Sequence, residues 1–515
     1  MATDNNEEAI YHCAARLPIL PEILTPNGFE NDTREAHVPE SINFLARPSL
    51  RPLTVLDLPC ELLGLIFEYV RIGADGPPIR YEPNLYHDFW KRRPGQLRDI
   101  QNVRLTCRQF CNSSSHLLIN YVQVGLQSGS LNRLKEIASH PLIRRGVRVV
   151  NISLKFYHSK LASSFEEFSA ACFRELYNDI GRAGRENTYT LEQATTVKVA
   201  WERACFGTNV DEPPQFQSCL EALQAGHAVH QKRYEDQRVL LTNKLFVQGI
   251  TTALAQMPAT KTLIFNDYLI HYSPGQSRKD WRHFVSNPTK LAIHYSRPFG
   301  TLHSNIHYLD SELPINIIPE VLGALPALKV TLEHLYINID GVYNTHLLVQ
   351  DSQTCENLRL LAKKLSYINV AIRRRDEYNL SPDHISAGMA ADMAANIYQF
   401  LSVMLDTESL KAISLLLYEP HSWKPTFPSI GPVLNRLKRP KLKYLGLHYI
   451  SIHAHELELF VGSLIPALHS NTYEEPVCIE FNTSYLLSGS SADVDASMSA
   501  KPYIDWKRVT EPYQG

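Results

Sequence analysis

The apolar positions of this chain follow two regimes, and between residues 56 and 122 they recur at helical spacing. Leu62, Leu63, Ile66, Phe67 and Val70 share one face of a predicted helix, because side chains three and four apart stack on the same side. Asp57 is placed to cap that helix, Pro59 is tolerated in a first turn whose amides lack partners anyway, and Gly73 is placed to end it. Ile100, Val103, Cys107 and Phe110 mark a second helix, and Leu117, Leu118, Tyr121 and Val122 a third, shorter one. Helices this short and one-sided do not persist alone, so the three are expected to meet in a small cluster.

From Val124 onward helical stripes alternate with short strands. Leu131, Leu134 and Ile137 predict a helix, and Val147 to Leu154, where Val150, Ile152 and Leu154 alternate with more polar positions, predicts a half-buried strand. Val239 to Met257 reads as helix and Lys261 to Phe265 as strand. One spacing then returns four times: Leu332-x-x-Leu335-x-Ile337, Leu365-x-x-Ile368-x-Val370, Leu410-x-x-Ile413-x-Leu415 and Leu442-x-x-Leu445-x-Leu447. Helical segments flank these at Ile317 to Leu325, Ala394 to Leu405 and Glu456 to Leu468. The spacing resembles the strand of a leucine-rich repeat, in which alternate apolar residues enter a stacked core while the intervening ones face outward. The starts are 33, 45 and 32 residues apart, longer and less regular than the usual period of about 20 to 29, and the Asn that closes such a strand is missing from most units. An ordinary α/β domain with a parallel sheet is the alternative.

Residues 160–236 interrupt the alternation. Leu161, Phe165, Phe168, Cys172, Leu176 and Ile180 form one helical stripe and a second helix is expected through Ala200 and Trp201, so the block reads as a helical insertion. Prolines at 18, 21, 26, 39 and 48 make residues 1–49 an irregular arm, and the Ser-, Ala- and Asp-rich run from Ser488 to Ala500 makes 486–515 a low-complexity tail. The expected order is thus arm, helical cluster (50–125, with an insert at 72–97 rich in Pro and aromatics), α/β region (126–485) and tail.

Composition narrows the function classes. Lys and Arg number 51 against 53 Asp and Glu, a formal charge of -2, which gives no general attraction to nucleic acid or anionic lipid. Nine irregularly spaced Cys suit reduced thiols better than a disulfide framework. The first 14 residues lack the basic and apolar runs of a secretory signal, and no stretch reaches the roughly 20 apolar residues that span a bilayer. An intracellular protein, cytoplasmic or nuclear, is expected. The triplets Lys91-Arg92-Arg93 and Arg373-Arg374-Arg375 read as solvated faces.

Candidate chemistry is sparse. There is no phosphate loop, and Gly181-Arg182-Ala183-Gly184-Arg185 lacks the strand and third glycine of a dinucleotide site. Ser488-Gly489-Ser490-Ser491 falls in the tail, where nothing would hold a strained nucleophile turn. His453 and His455 have no Cys or third His nearby, and Cys107 and Cys111 behave as small apolar residues on a helix. No catalytic residue, metal or cofactor is expected.

The ordered string Leu-Asp-Leu-Pro-x-Glu-Leu-Leu-x-x-Ile-Phe-x-Tyr from Leu56, followed by Val-Arg-Leu-Thr-Cys-Arg-x-Phe from Val103, resembles the F-box of fungal receptor-type proteins, over about a tenth of the chain. The resemblance implies a fold of three helices that docks onto a Skp-type linker and through it a cullin scaffold, with the following domain holding a target protein. Carried over by position, Leu58, Pro59, Glu61, Leu62, Ile66, Phe67, Val103, Cys107, Arg108 and Phe110 would touch the linker. The expected fold is therefore α/β and α-rich: an F-box-like cluster, then an irregular leucine-rich-repeat-like solenoid with a helical insertion. Such a subunit acts by positioning and needs no active site of its own. The 72–97 insert exceeds what usually separates these helices, which motivates a second reading, a scaffold whose cluster packs internally against the next domain.

Overall fold

Three helices open the structure: α1 (Cys60–Ile72), α2 (Pro94–Thr106) and α3 (Arg108–Ser114). This computed structural model describes residues 54–72, 94–183, 195, 197–203, 214–267, 288–295, 313–340, 344–349, 351–373, 387–418, 428–436, 441–448, 450–469, 478–482 and 485–487. The expectations for the arm, for most of the 72–97 insert including Lys91 to Arg93, for Arg374-Arg375, for Gly184-Arg185 and for the tail from Ser488 lie outside those residues. The chain divides into two contact units, 1–57 and 58–515. In the first, a single 3-10 turn spans Val55–Asp57, and the Asp57 carboxylate accepts the Thr54 backbone N–H and hydroxyl, each at 2.8 Å.

The second predicted helix is two. Cys107 leaves the helical conformation at φ -158 and ψ 167, separating α2 from α3, so Ile100, Val103, Cys107 and Phe110 do not share one continuous stripe. The third predicted helix is corrected: Ser115–Leu117 makes one 3-10 turn, and Tyr121–Val124 is the first strand, β1. Tyr-Val-Gln-Val is rich in β-formers, and its pairing in a sheet overrides a helical spacing only six residues long.

The chain then continues through α4 (Ser128–Ser139), β2 (Val149–Ser153), α5 (Ser159–Ser163), α6 (Phe165–Ala183), α7 (Pro214–Thr242), α8 (Leu245–Gln256), β3 (Thr262–Asn266), α9 (Pro288–Tyr295), α10 (Ile317–Ala324), β4 (His334–Asp340), α11 (Ser352–Ala362), β5 (Tyr367–Arg373), α12 (Ala387–Met404), β6 (Ala412–Tyr418), α13 (Gly431–Leu434), β7 (Tyr444–His448), β8 (Ser451–His453), α14 (Ala454–His469), β9 (Cys478–Asn482) and β10 (Tyr485–Leu487). Eight strands form one parallel sheet in the order β1-β2-β3-β4-β5-β6-β7-β9, and β8 pairs with β10. The fold is α/β. Strand order follows chain order without reversal, and α4, α8, α10, α11 and α12 neighbour one another in the same succession.

Register explains the recurring spacing. Leu335, Ile368, Ile413 and Leu445 lie opposite one another on neighbouring strands, as do Ile337, Val370, Leu415 and Leu447, and all eight are buried in a single core with the helices. The same spacing extends backward through Ile119-x-x-Val122-x-Val124, Val147-x-x-Val150-x-Ile152 and Thr260-x-x-Leu263-x-Phe265. Thr260 fits an otherwise apolar position because its hydroxyl donates to the Val147 carbonyl at 3.1 Å, which satisfies a buried donor.

The intervening strand residues do not face solvent as expected. All five residues of β2 and all five of β3 are buried, so Val147 to Leu154 is not half-buried. Val149, Ile264, Tyr336, Tyr367, Ala412 and Tyr444 form a second apolar cluster on the face opposite the helices. Polar members of that face bond laterally: Asn266 donates to Asn151 at 2.9 Å, and Asn151 to the Tyr121 hydroxyl at 2.5 Å. Burial raises the Tyr336 and Tyr367 hydroxyl pKa and lowers that of the His334 ring.

The described residues between 160 and 236 are mainly helical, as the sequence predicts, and with Ala292 of α9 they form a separate core around Trp201, whose Nε1 donates to the Cys219 carbonyl at 3.2 Å. The predicted stripe from Leu161 breaks at Ser164 into α5 and α6, and the helix predicted over Val239 to Met257 breaks where Lys244 takes a left-handed φ of 55. Helix α7 fastens this block to the sheet region. Asp236 accepts the Ser128 N–H at 2.7 Å and its hydroxyl, capping α4 from outside, and Gln237 bonds both the N–H (2.8 Å) and the C=O (3.0 Å) of Tyr157.

Candidate docking surface

Helix α1 has more apolar residues than one buried stripe can use. Leu63 and Phe67 turn into the cluster and pack with Ile100 and Leu117, flanked by Leu58, Val103, Phe110 and Leu118. Leu62, Leu65, Ile66 and Tyr69 lie on an adjoining face and are 46%, 62%, 41% and 71% exposed. At 100° per residue those four fall within about 100° of arc. A helix that is already packed through one face and still presents four large apolar side chains on another has the form of a docking element.

The first backbone bond of α1 runs from Leu63 N–H to the Pro59 carbonyl at 3.1 Å. Pro59 therefore stands immediately before the helix, where its missing N–H costs nothing and its fixed φ aims the chain into the first turn. On the far side of the cluster Cys107 caps α3, its Sγ accepting the Phe110 N–H at 3.4 Å. Thus Cys107 is not merely a small apolar residue, and its cap holds Phe110 at the angle at which its ring meets Phe67. Arg104 crosses the elbow, donating from Nε to Ser115 Oγ at 3.1 Å, while Ser115 donates to the Cys111 carbonyl at 2.5 Å.

The ten residues singled out by the resemblance sort into three groups. Pro59, Glu61, Leu62, Ile66 and Arg108 are exposed, Leu58, Val103, Cys107 and Phe110 are half-buried, and Phe67 is buried. Phe67 is available to the cluster's core and not to a partner. Leu65, Tyr69 and Leu105, which is 85% exposed at the elbow, are absent from that set. Their signal was legible: residues 62–70 hold seven large apolar side chains, and one helical face cannot take them all.

The other flank of α1 meets the sheet region. Glu68 lies 3.9 Å from Arg148, and the His116 carbonyl sits so close to Gly146 that a Cβ there would overlap it. The cluster thus abuts the loop before β2 through Glu68 and residues 115–117, and Glu68 borders the exposed row, three residues from Leu65 on the helix surface.

Elsewhere the geometry is structural. His453 and His455 stack at 5.5 Å, and Glu456 turns back to accept the His453 N–H at 3.2 Å and the Ser429 hydroxyl, closing the start of α14. Among the described residues no group of three or more His, Cys, Asp or Glu is placed to hold a metal ion, and no helix is long and apolar enough to cross a membrane. No family model, curated protein or solved structure matches this chain.

Proposed function

We propose that the chain is the substrate-recognition subunit of an SCF-type ubiquitin ligase, with α1 docking a Skp-type linker and residues 126–485 holding a target protein. One observation carries this reading: Leu62, Leu65, Ile66 and Tyr69 are exposed on a helix whose Leu63 and Phe67 already fill the cluster's own core. Burying such a row against a partner stabilises a complex by roughly 1.5 to 3 kcal/mol per fully covered side chain. The internally packed scaffold requires Leu58, Pro59 and Ile66 to be covered by the chain itself. Pro59 and Ile66 are exposed and Leu58 is half-buried against the cluster's own core, which supports docking.

The leucine-rich-repeat-like solenoid is the architecture we propose for 126–485. Strand order identical to chain order, and one apolar spacing shared by the strands from β1 to β7, support it; the unequal unit lengths and the helical block after β2 make it irregular. Through the linker the subunit would reach a cullin scaffold, in the cytoplasm or nucleus. Affinity purification under proteasome inhibition, with mass spectrometry of the recovered proteins, tests the reading. Recovery of linker and cullin together supports it, and recovery of neither refutes it.

A further inference from the structure

The strands of the sheet are preceded by a second ladder. Arg148, Lys261, Glu333, Ser366, Lys411 and Lys443 each stand one residue before β2, β3, β4, β5, β6 and β7, and each donates its backbone N–H to the carbonyl of the residue before it in the row, beginning with Asn120, at 2.7 to 3.0 Å. Their side chains therefore project from one edge at successive strand spacings of about 4.8 Å, a line about 24 Å long. Lys411 and Lys443 stand directly side by side, an arrangement that like charges disfavour. Lys329, Lys363, Lys364 and Lys441 are exposed in the turns shortly before β4, β5 and β7, and Arg436 is exposed just after α13.

Part of this charge is neutralised within the fold. Lys261 pairs with Glu333 at 3.2 Å and Arg148 faces Glu68, and Asp406 and Glu408 are exposed before β6. Lys411, Lys441 and Arg436 have no acidic partner among the described residues. Residues 436–443 read Arg-Leu-Lys-Arg-Pro-Lys-Leu-Lys, five cations and no acid, in a chain whose net charge is -2.

We infer that this edge, centred on Lys411, Lys441 and Arg436, binds an acidic polypeptide segment. Two features select a polypeptide over a nucleic acid. Glu333 interrupts the row and Glu408 is exposed three residues before Lys411, which repels a uniformly charged phosphate chain but tolerates a peptide that places neutral residues opposite them. The aromatic residues next along the strands, Tyr367 and Tyr444, are buried on the sheet's far face and offer no platform for stacking bases. The inference stands independently of linker docking by α1.

The test is a fluorescence-anisotropy titration of the full chain with a labelled twelve-residue peptide alternating Glu and Gly, beside a labelled twelve-nucleotide single-stranded oligo-dT. Saturable peptide binding that weakens with added salt, and that falls about tenfold or more in the triple variant Lys411→Glu, Lys441→Glu, Arg436→Glu, is expected. Reversal of the exposed Lys232 on α7 serves as the control and leaves binding unchanged, and circular dichroism confirms that all variants fold. Tighter binding of oligo-dT than of peptide overturns the inference. So does failure to bind the peptide, or peptide binding equal in the triple variant and the wild type.

Discussion

The Phe67 ring meets the Phe110 ring edge-on, with centroids 5.0 Å apart and planes at 72°. This pair joins α1 to α3, and the Cys107 cap fixes its angle. It divides α1 into residues that hold the cluster together and residues left for a partner. Phe67→Ala should therefore cost about 3 to 5 kcal/mol in denaturant unfolding, whereas Leu65→Ala should stay within about 0.5 kcal/mol. Equal effects would show that the two faces have been misassigned.

Gly146 is required for space and not for its backbone angles, since φ there is an ordinary -98. Any Cβ runs into the His116 carbonyl, which backbone cannot easily vacate. Gly146→Ala should destabilise by about 1 to 3 kcal/mol, and amide exchange should show the loss around residues 115–120 and at the start of β2. An unchanged exchange pattern would mean that the two loops are not in close contact.

Gln237 is 4% exposed and satisfies both backbone groups of Tyr157. Its replacement by Leu leaves a buried donor and acceptor without partners, at about 1 to 3 kcal/mol each. Chemical denaturation of Gln237→Leu should register a loss of about 2 to 6 kcal/mol, larger than that of Asp236→Asn, which retains an acceptor for the Ser128 N–H. Equal stability of Gln237→Leu and wild type would contradict the fastening of α7 through Tyr157.

His227 packs against Phe165 and Phe168 at 5.6 and 5.3 Å, and burial lowers its pKa. His334 is shifted the same way. Since the folded pKa lies below the unfolded value of about 6.5, the unfolded chain binds the proton more readily, and stability falls as pH drops through and below about 6.5. Unfolding free energy measured between pH 7.5 and 5.5 should decrease with acid, and His227→Phe should flatten that slope. A slope unaffected by the substitution would remove His227 from the account.

The strand cores were legible because Leu335, Ile368, Ile413 and Leu445 repeat one spacing, and alternate strand residues point the same way. Two of the three earlier units were legible as strands but not as members of the series: Thr260 puts a hydroxyl at an apolar position, and a helical block separates Val147 from it; the first, at Tyr121 to Val124, was masked by a helical spacing. Burial of Tyr336 and Tyr367 was not readable either, since alternation reports which residues share a face and not whether that face is open. Cys107 was misjudged for a local reason, because its spacing fits a helical stripe while its thiol serves as a cap. On α1 the residues were legible but their division was not. Leu62 and Leu63 are adjacent in sequence, and only the positions of Ile100 and Leu117 decide which of them turns inward.

The central claim is that the exposed face of α1 grips a separate subunit, and isothermal titration of the purified chain with a Skp-type linker tests it most directly. Wild type should bind saturably with one-to-one stoichiometry, and Leu62→Glu combined with Ile66→Glu should weaken binding at least about a hundredfold with stability unchanged. Absence of binding by the wild type, or undiminished binding by the double variant, would contradict the account.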